Sequence, residues 1–144
     1  RGKTLSYANN FAAIRQARMA GFDDAVLIGR SGRVLEGPTF TVGWVVDEDG
    51  RDIYETPAMT TGILDSITRT AVLEAAADAG LEVREVEVPI ERLDDASEFF
   101  ALSTLREVVA VTAVGDRTFA EGPATLRLRS ALQELMNREL TAGR

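Results

Sequence analysis

The chain has 144 residues, 45% hydrophobic and 27% charged, with a formal net charge of −7 at pH 7. That length fits one domain with a sizeable core or one part of something larger, and the acidic balance argues against nucleic acid or an anionic membrane as the main partner. No apolar run is long enough to span a bilayer and no stretch resembles a signal peptide, while the absence of cysteine and histidine excludes disulfides, thiol chemistry, a Ser-His-Asp site and the usual zinc sites within this segment. An enzyme built from these residues needs a carboxylate, a tyrosine, a lysine or a cofactor for its acid-base chemistry, and no metal site is expected.

In chain order, Ser6 to Ala20 reads as a helix: Tyr7, Phe11 and Ile14 recur at helical spacing, Ser6 is the expected N-cap and Gly21 the stop. "DAVLIGR", from Asp24, suits a short buried strand. The passage "SGRVLEGPTFTVGWVVDEDGRDIYETP" alternates β-rich runs with turn signals at Ser31-Gly32, Gly37-Pro38 and Asp49-Gly50, the pattern of antiparallel hairpins. A second helix is expected over "SITRTAVLEAAADAG" from Ser66, with Gly80 just past its end. "LEVREVEVPI" alternates apolar and charged residues as a strand with one wet face does. A short acidic helix near Glu91 to Ala96, strands in "EFFALSTL" and "EVVAVTAVG", and a final helix from about Pro123 to Leu140 complete the chain. There is no repeat, low-complexity stretch or linker. Mixed helices and hairpins point to one α+β structure with a largely antiparallel sheet.

Four features stand apart from fold-making. Lys3, the only lysine beside fifteen arginines, sits just before the first helix. A lysine can lose its proton when desolvated and attack a carbonyl carbon, which a guanidinium cannot; a leftover surface charge is the alternative. Glu36 in "VLEGPT" places a carboxylate within an apolar strand-and-turn passage, where a solvated strand-end glutamate is the other reading. "SITR", Ser66 to Arg69, opens a helix whose first backbone N–H groups, with the Thr68 hydroxyl, would receive a phosphate; simple N-capping by Ser66 is the alternative. Ser103 and Thr104 interrupt an apolar strand with two hydroxyls, either to finish an anion cradle or as a plain strand end. Together these supply an imine-forming lysine, a carboxylate for a protonated ring nitrogen and donors for a phosphate, the three anchors that pyridoxal 5′-phosphate (PLP) requires.

At these residues the sequence resembles the class IV (fold type IV) PLP-dependent aminotransferases, a family that includes D-amino acid aminotransferases and aminodeoxychorismate lyases. The resemblance runs from Lys3 to about Val111. It rests on "GKTLSYANNFAAIRQAR", on the glycine-flanked Gly32 to Gly37 passage around Glu36, on Thr56-Pro57, on Leu64 to Arg69, and on Asp95 to Phe99 followed by Ser103-Thr104. It implies an α+β fold with a mixed, largely antiparallel sheet or pseudo-barrel and flanking helices. Lys3 would be the Schiff-base lysine and proton shuttle, and Glu36 would hold the pyridine nitrogen. The amides of Ile67 and Thr68 with the Thr68 hydroxyl would bind the phosphate, and Ser103 or Thr104 would add a donor. The amides around Thr104 and Leu105 would face the substrate carboxylate. Tyr7 is read as core packing first and as a cofactor contact second.

The family pattern is not matched everywhere. Ser66 replaces the usual glycine of the phosphate loop, Ala110-Val111 a frequent Pro-Val, and Thr41 the asparagine of many branched-chain enzymes, which leans away from a branched-chain substrate. The family's members are about twice as long, so residues 1–144 are expected to be the PLP-binding C-terminal domain, with a small N-terminal domain absent and the segment alone a poor enzyme. The resemblance further implies a cytoplasmic homodimer acting on amino acid and 2-oxo acid substrates. Amino-group transfer is the leading expectation. An aminodeoxychorismate lyase, releasing pyruvate and 4-aminobenzoate, is the alternative; a non-catalytic relative that kept the scaffold, or an unrelated binding domain, comes after it.

Overall fold

The longest β-rich run folds about Asp49-Gly50 into the central hairpin of a sheet. In the computed structural model, which describes residues 3–63, 66–103, 105 and 107–142, with side chains from residue 10 onward, β1 (Phe40–Glu48) and β2 (Arg51–Pro57) pair antiparallel. Asp49 and Gly50 both take positive φ, 54° and 81°, as a two-residue turn matched to strand twist requires. β3 (Glu82–Val86), β4 (Ala96–Ser103) and β5 (Val108–Val111) complete a five-stranded sheet in the order β3-β2-β1-β4-β5. Only β2 and β3 run parallel, because α2 (Ile67–Asp78) carries the chain over the sheet between them. A small ribbon of β6 (Ala113–Val114) and β7 (Arg117–Thr118) precedes the closing helix α3 (Pro123–Ala142). The class is α+β with a mostly antiparallel sheet and flanking helices.

The sheet is covered on both faces, which is why β1 reads as a nearly continuous apolar run. On one face Val45, Tyr54, Phe100 and Leu102 meet Val72, Ala75 and Ala76 of α2 and Leu128, Leu132 and Leu135 of α3. On the other, Trp44, Val46, Ile53 and Phe99 pack against Val34, Leu93 and Phe119. The α3 N-terminus is tied to the sheet by Glu98, whose carboxylate accepts from the amides of Ala124 at 3.1 Å and Thr125 at 2.7 Å. No helix among the described residues is long and apolar enough to cross a membrane.

Several sequence-based boundaries shift. The first helix, α1 (Lys3–Met19), starts at Lys3 rather than after Ser6, so Ser6 lies inside the helix and Lys3 in its first turn. Its end at Gly21 holds: Gly21 has φ 93°, and Phe22 N–H reaches back to Ala17 O at 2.9 Å. None of the side chains described on α1 is buried, and Phe11 is 62% exposed. "DAVLIGR" is not a regular strand. It forms a ladder only where Ile28 bridges Val34, flanked by Leu27 N–H to Glu36 O, because it pairs with its own return segment and not with the main sheet. The acidic stretch near Glu91 is a 3₁₀ segment, Ile90–Asp95.

Candidate functional site

The start of α2 is held from several directions. Ser66 is its N-cap, extended at φ −118°, ψ 146°, and its Oγ accepts from Arg69 N–H at 2.9 Å. That negative φ is open to any residue, so serine in place of glycine imposes no backbone strain here. Capping and anion binding are compatible. The cap engages the third helical amide and Thr70 N–H bonds Ser66 O, which leaves Ile67 and Thr68 N–H with no acceptor inside the helix. Both carry the positive end of the α2 dipole. Ser66 Oγ also lies 3.3 Å from Thr41 Oγ1 at the start of β1, which ties the helix cap to the sheet.

The passage before β1 is shaped by close packing. Gly37 N–H bonds Phe40 O at 2.8 Å, and a Cβ on Gly37 would lie 2.1 Å from the Phe40 ring, so a larger residue would have to displace that ring. Glu36, half-buried, is placed by this turn and by its carbonyl, which accepts from Leu27 N–H at 2.7 Å. Phe40 in turn is the sheet partner of Ser103, the last residue of β4. Ser103 Oγ accepts from the amides of Leu105 and Glu107, each at 3.3 Å, so its own O–H is left to donate.

These segments enclose a cleft of about 390 Å³, within the range of ~300–1,000 Å³ usual for small-molecule sites. Glu36, Thr41, Ile67, Thr68 and Ser103 all line it. Gly37, Pro38, Thr39, Phe40 and Leu102 also contribute to its wall, and the sequence reading had given them no site role. The signal for the first four was their position directly after Glu36. Leu102 had no such signal, since alternation puts its side chain on the face opposite that of Ser103. Leu105 is not part of this wall: its side chain is 76% exposed and its N–H is engaged by Ser103. Thr104 lies outside the described residues, as do the side chains of Lys3 and Tyr7 and the loop positions Leu64 and Asp65.

Chemically, the cleft offers amides and hydroxyls at one helix N-terminus and a single carboxylate, Glu36, from a separate segment. The first set suits an anionic oxygen group and the second a protonated nitrogen. The donor set therefore fits a small molecule that carries both. Behind the first turn of α2, Arg69 is buried at 3% exposure; its guanidinium donates to Pro57 O at 3.3 Å and to the carboxylate of Glu85. Among the described residues no group of acidic side chains is arranged to hold a metal ion.

Comparison with known proteins places this arrangement in context. A family model described as amino-transferase class IV matches residues 1–114. The chain is 33% identical over 140 residues to an aminodeoxychorismate lyase of Bacillus subtilis, covering 96% of this chain and 45% of the lyase. It is 35% identical over 134 residues to a D-alanine aminotransferase of Bacillus licheniformis, covering 91% of this chain and 46% of that enzyme. In three dimensions it is similar to the PLP form of a branched-chain amino acid aminotransferase from Thermobaculum terrenum. The TM-score is 0.80 at 34% identity, over 90% of this chain and 42% of that one. The chain thus spans less than half the length of each of these relatives.

Proposed function

The chain belongs to the class IV aminotransferases, and from that premise we propose that it forms the cofactor-binding part of a PLP enzyme that moves an amino group from an amino acid to a 2-oxo acid. The observation that carries this reading is the cleft itself. Glu36 with Thr41, the first amides of α2, and Ser103 come from three separate stretches of sequence and line one space of small-molecule size. The resemblance of the Lys3 segment to the family supplies the remaining group, an amine.

In this reading the amides of Ile67 and Thr68, the Thr68 hydroxyl and the Ser103 O–H hold the phosphate of PLP, with Thr104 as a further donor. Glu36 keeps the ring nitrogen protonated by offering it an anionic acceptor. Lys3 tethers the cofactor and carries the proton of the substrate Cα. When bound, PLP supplies a protonated ring that accepts electron density from the carbon losing that proton. The apolar wall of Phe40 and Leu102 excludes water from the face it covers, and there each hydrogen bond to an anion is strengthened. Thr41, buried at 3%, and Leu105 belong to the substrate side, and there Leu105 would have to release Ser103 to offer its amide.

Aminodeoxychorismate lyase chemistry is the second reading, favoured by the 33% identity to the Bacillus subtilis lyase. The two activities share Cα deprotonation and differ in where the reaction goes next. The test uses the protein as its gene encodes it, purified with PLP and titrated with a panel of L- and D-amino acids while its visible spectrum is recorded. Loss of the yellow form with one class of amino acid establishes the aminotransferase and names the donor. A yellow protein inert to all of them, yet releasing pyruvate and 4-aminobenzoate from aminodeoxychorismate, is the lyase. No PLP colour, or undiminished turnover in Lys3→Arg, overturns both.

A further inference from the structure

The first turn of α2 is bonded to the sheet through side chains, while at its far end Asp78 accepts from Arg138 of α3 at 3.0 Å. Further along, α2 packs through Ala71, Val72, Ala75 and Ala76, contacts that hold the helix down but set its rotation and axial position only weakly. Two amides can grip an anion only if they are aimed, so the polar ties at the first turn bear on that aim. One tie runs from Thr41 through Ser66 to the Arg69 amide. The other is the Arg69 side chain, and it reaches two strands at once.

β2 and β3 run parallel, with Thr56 opposite Glu85 and Pro57 opposite Val86. That register brings the Pro57 carbonyl and the Glu85 carboxylate side by side at one end of the strand pair, and the Arg69 guanidinium donates to both. The Arg69 side chain is 4% exposed, while that of Glu85 is 47% exposed. Among the described residues Arg69 Nε has no hydrogen-bond partner at all. A surface ion pair needs no such burial, and an arginine kept for packing alone would carry a charge it does not use.

We propose that Arg69 is a positioning residue for the anion cradle: it clamps the first turn of α2 to the ends of β2 and β3 and so fixes the aim of the Ile67 and Thr68 amides. This rests on the reading of the cleft as a PLP site. Both bonds leave one terminal nitrogen, Nη2, whose two N–H groups are fixed in direction by the guanidinium plane; lysine, a point charge on a flexible stem, fixes no such directions. The effect of Arg69 is therefore confined to the phosphate end of a ligand.

The experiment compares dissociation constants of PLP and of pyridoxal, which lacks the phosphate, by equilibrium dialysis. It uses the protein as its gene encodes it, in wild-type, Arg69→Met and Arg69→Lys forms, with folding checked by circular dichroism. The expected result is that Arg69→Met weakens PLP by about tenfold, the scale of one lost hydrogen bond to a charged group. Pyridoxal affinity stays within about twofold, since it does not use the cradle. Arg69→Lys shifts PLP in the same direction, and it decides the matter alone if Arg69→Met does not fold. Equal losses for PLP and pyridoxal mean that Arg69 is merely structural, and no loss for either means that the clamp is idle; both overturn the proposal. A wild-type protein that binds PLP no tighter than pyridoxal overturns the cofactor reading itself, whatever Arg69 does.

Discussion

Glu55, on β2, is a buried carboxylate, 3% exposed. Its carboxylate accepts from Trp44 Nε1 at 2.8 Å and from the Arg92 guanidinium at 3.0 and 2.8 Å. Burial by itself pushes the carboxyl up, but the hydrogen bonds from Arg92 and Trp44 outweigh it and hold the group below its ordinary value. A depressed carboxyl stabilises the fold above its unfolded-state pKa, and that stability is lost as the pH falls through the lower folded-state value. Glu55→Gln should therefore flatten the acid limb of a stability-versus-pH curve measured by urea unfolding. Arg92→Met, which leaves the carboxylate unpaired, should cost about 2 kcal/mol at neutral pH. That is less than the ~3–5 kcal/mol of a fully buried pair, because the Arg92 side chain is 32% exposed.

Among the elements, α2 has the most legible limits. Ser66 caps it, and after Ala79 the chain turns through Gly80 at φ 72°, with Gly80 N–H on Ala77 O and Leu81 N–H on Ala76 O. Both ends were visible in the sequence because capping is local chemistry. Ser66→Ala should destabilise the protein by about 1 kcal/mol and Ser66→Gly by only a few tenths, as read from denaturant midpoints at constant m-value. Ser66→Ala also cuts the tie to Thr41, so it should weaken inorganic phosphate binding where Ser66→Gly does the same despite its smaller stability loss. Equal phosphate affinity in all three proteins would sever the cap from the cleft. The segment from Asp24 shows the opposite case. Its apolar run resembles a buried strand, but an apolar run does not say which partner it will find, and here the partner is the adjacent return segment around Val34.

At the scale of the whole molecule, α2 and α3 share one apolar cluster against the sheet, and that cluster meets the cleft at Leu102. Leu128, 1% exposed, sits in that cluster and does not line the cleft. Leu128→Ala should cost about 3 kcal/mol in urea unfolding. PLP affinity, measured well below the unfolding midpoint, should stay within about twofold, because a cavity lowers the stability of the fold without re-aiming the cradle. A loss of affinity in proportion to stability would show that packing and site are one mechanical unit.

The amino-acid sequence alone specifies local conformations: the α2 limits at Ser66 and Gly80, the turn at Asp49-Gly50, the closing helix from Pro123 and the α+β class. Their signals are short-range, set by backbone sterics, capping and periodicity. It also carried the class IV resemblance, through motif residues in the right order. That Glu36, Thr41, Ile67, Thr68 and Ser103 line one space is a consequence of long-range packing. Their meeting depends on Phe40 pairing with Ser103 and on the cap of α2 reaching Thr41, contacts across long stretches of chain. Packing likewise set the Leu105 side chain outward and the Arg69 side chain inward, which neighbouring residues alone do not specify. The physical reason is the same in each case. A residue's backbone conformation is governed largely by its neighbours in sequence, but its burial is governed by which faces the sheet and helices cover, and that is settled only when the whole chain packs.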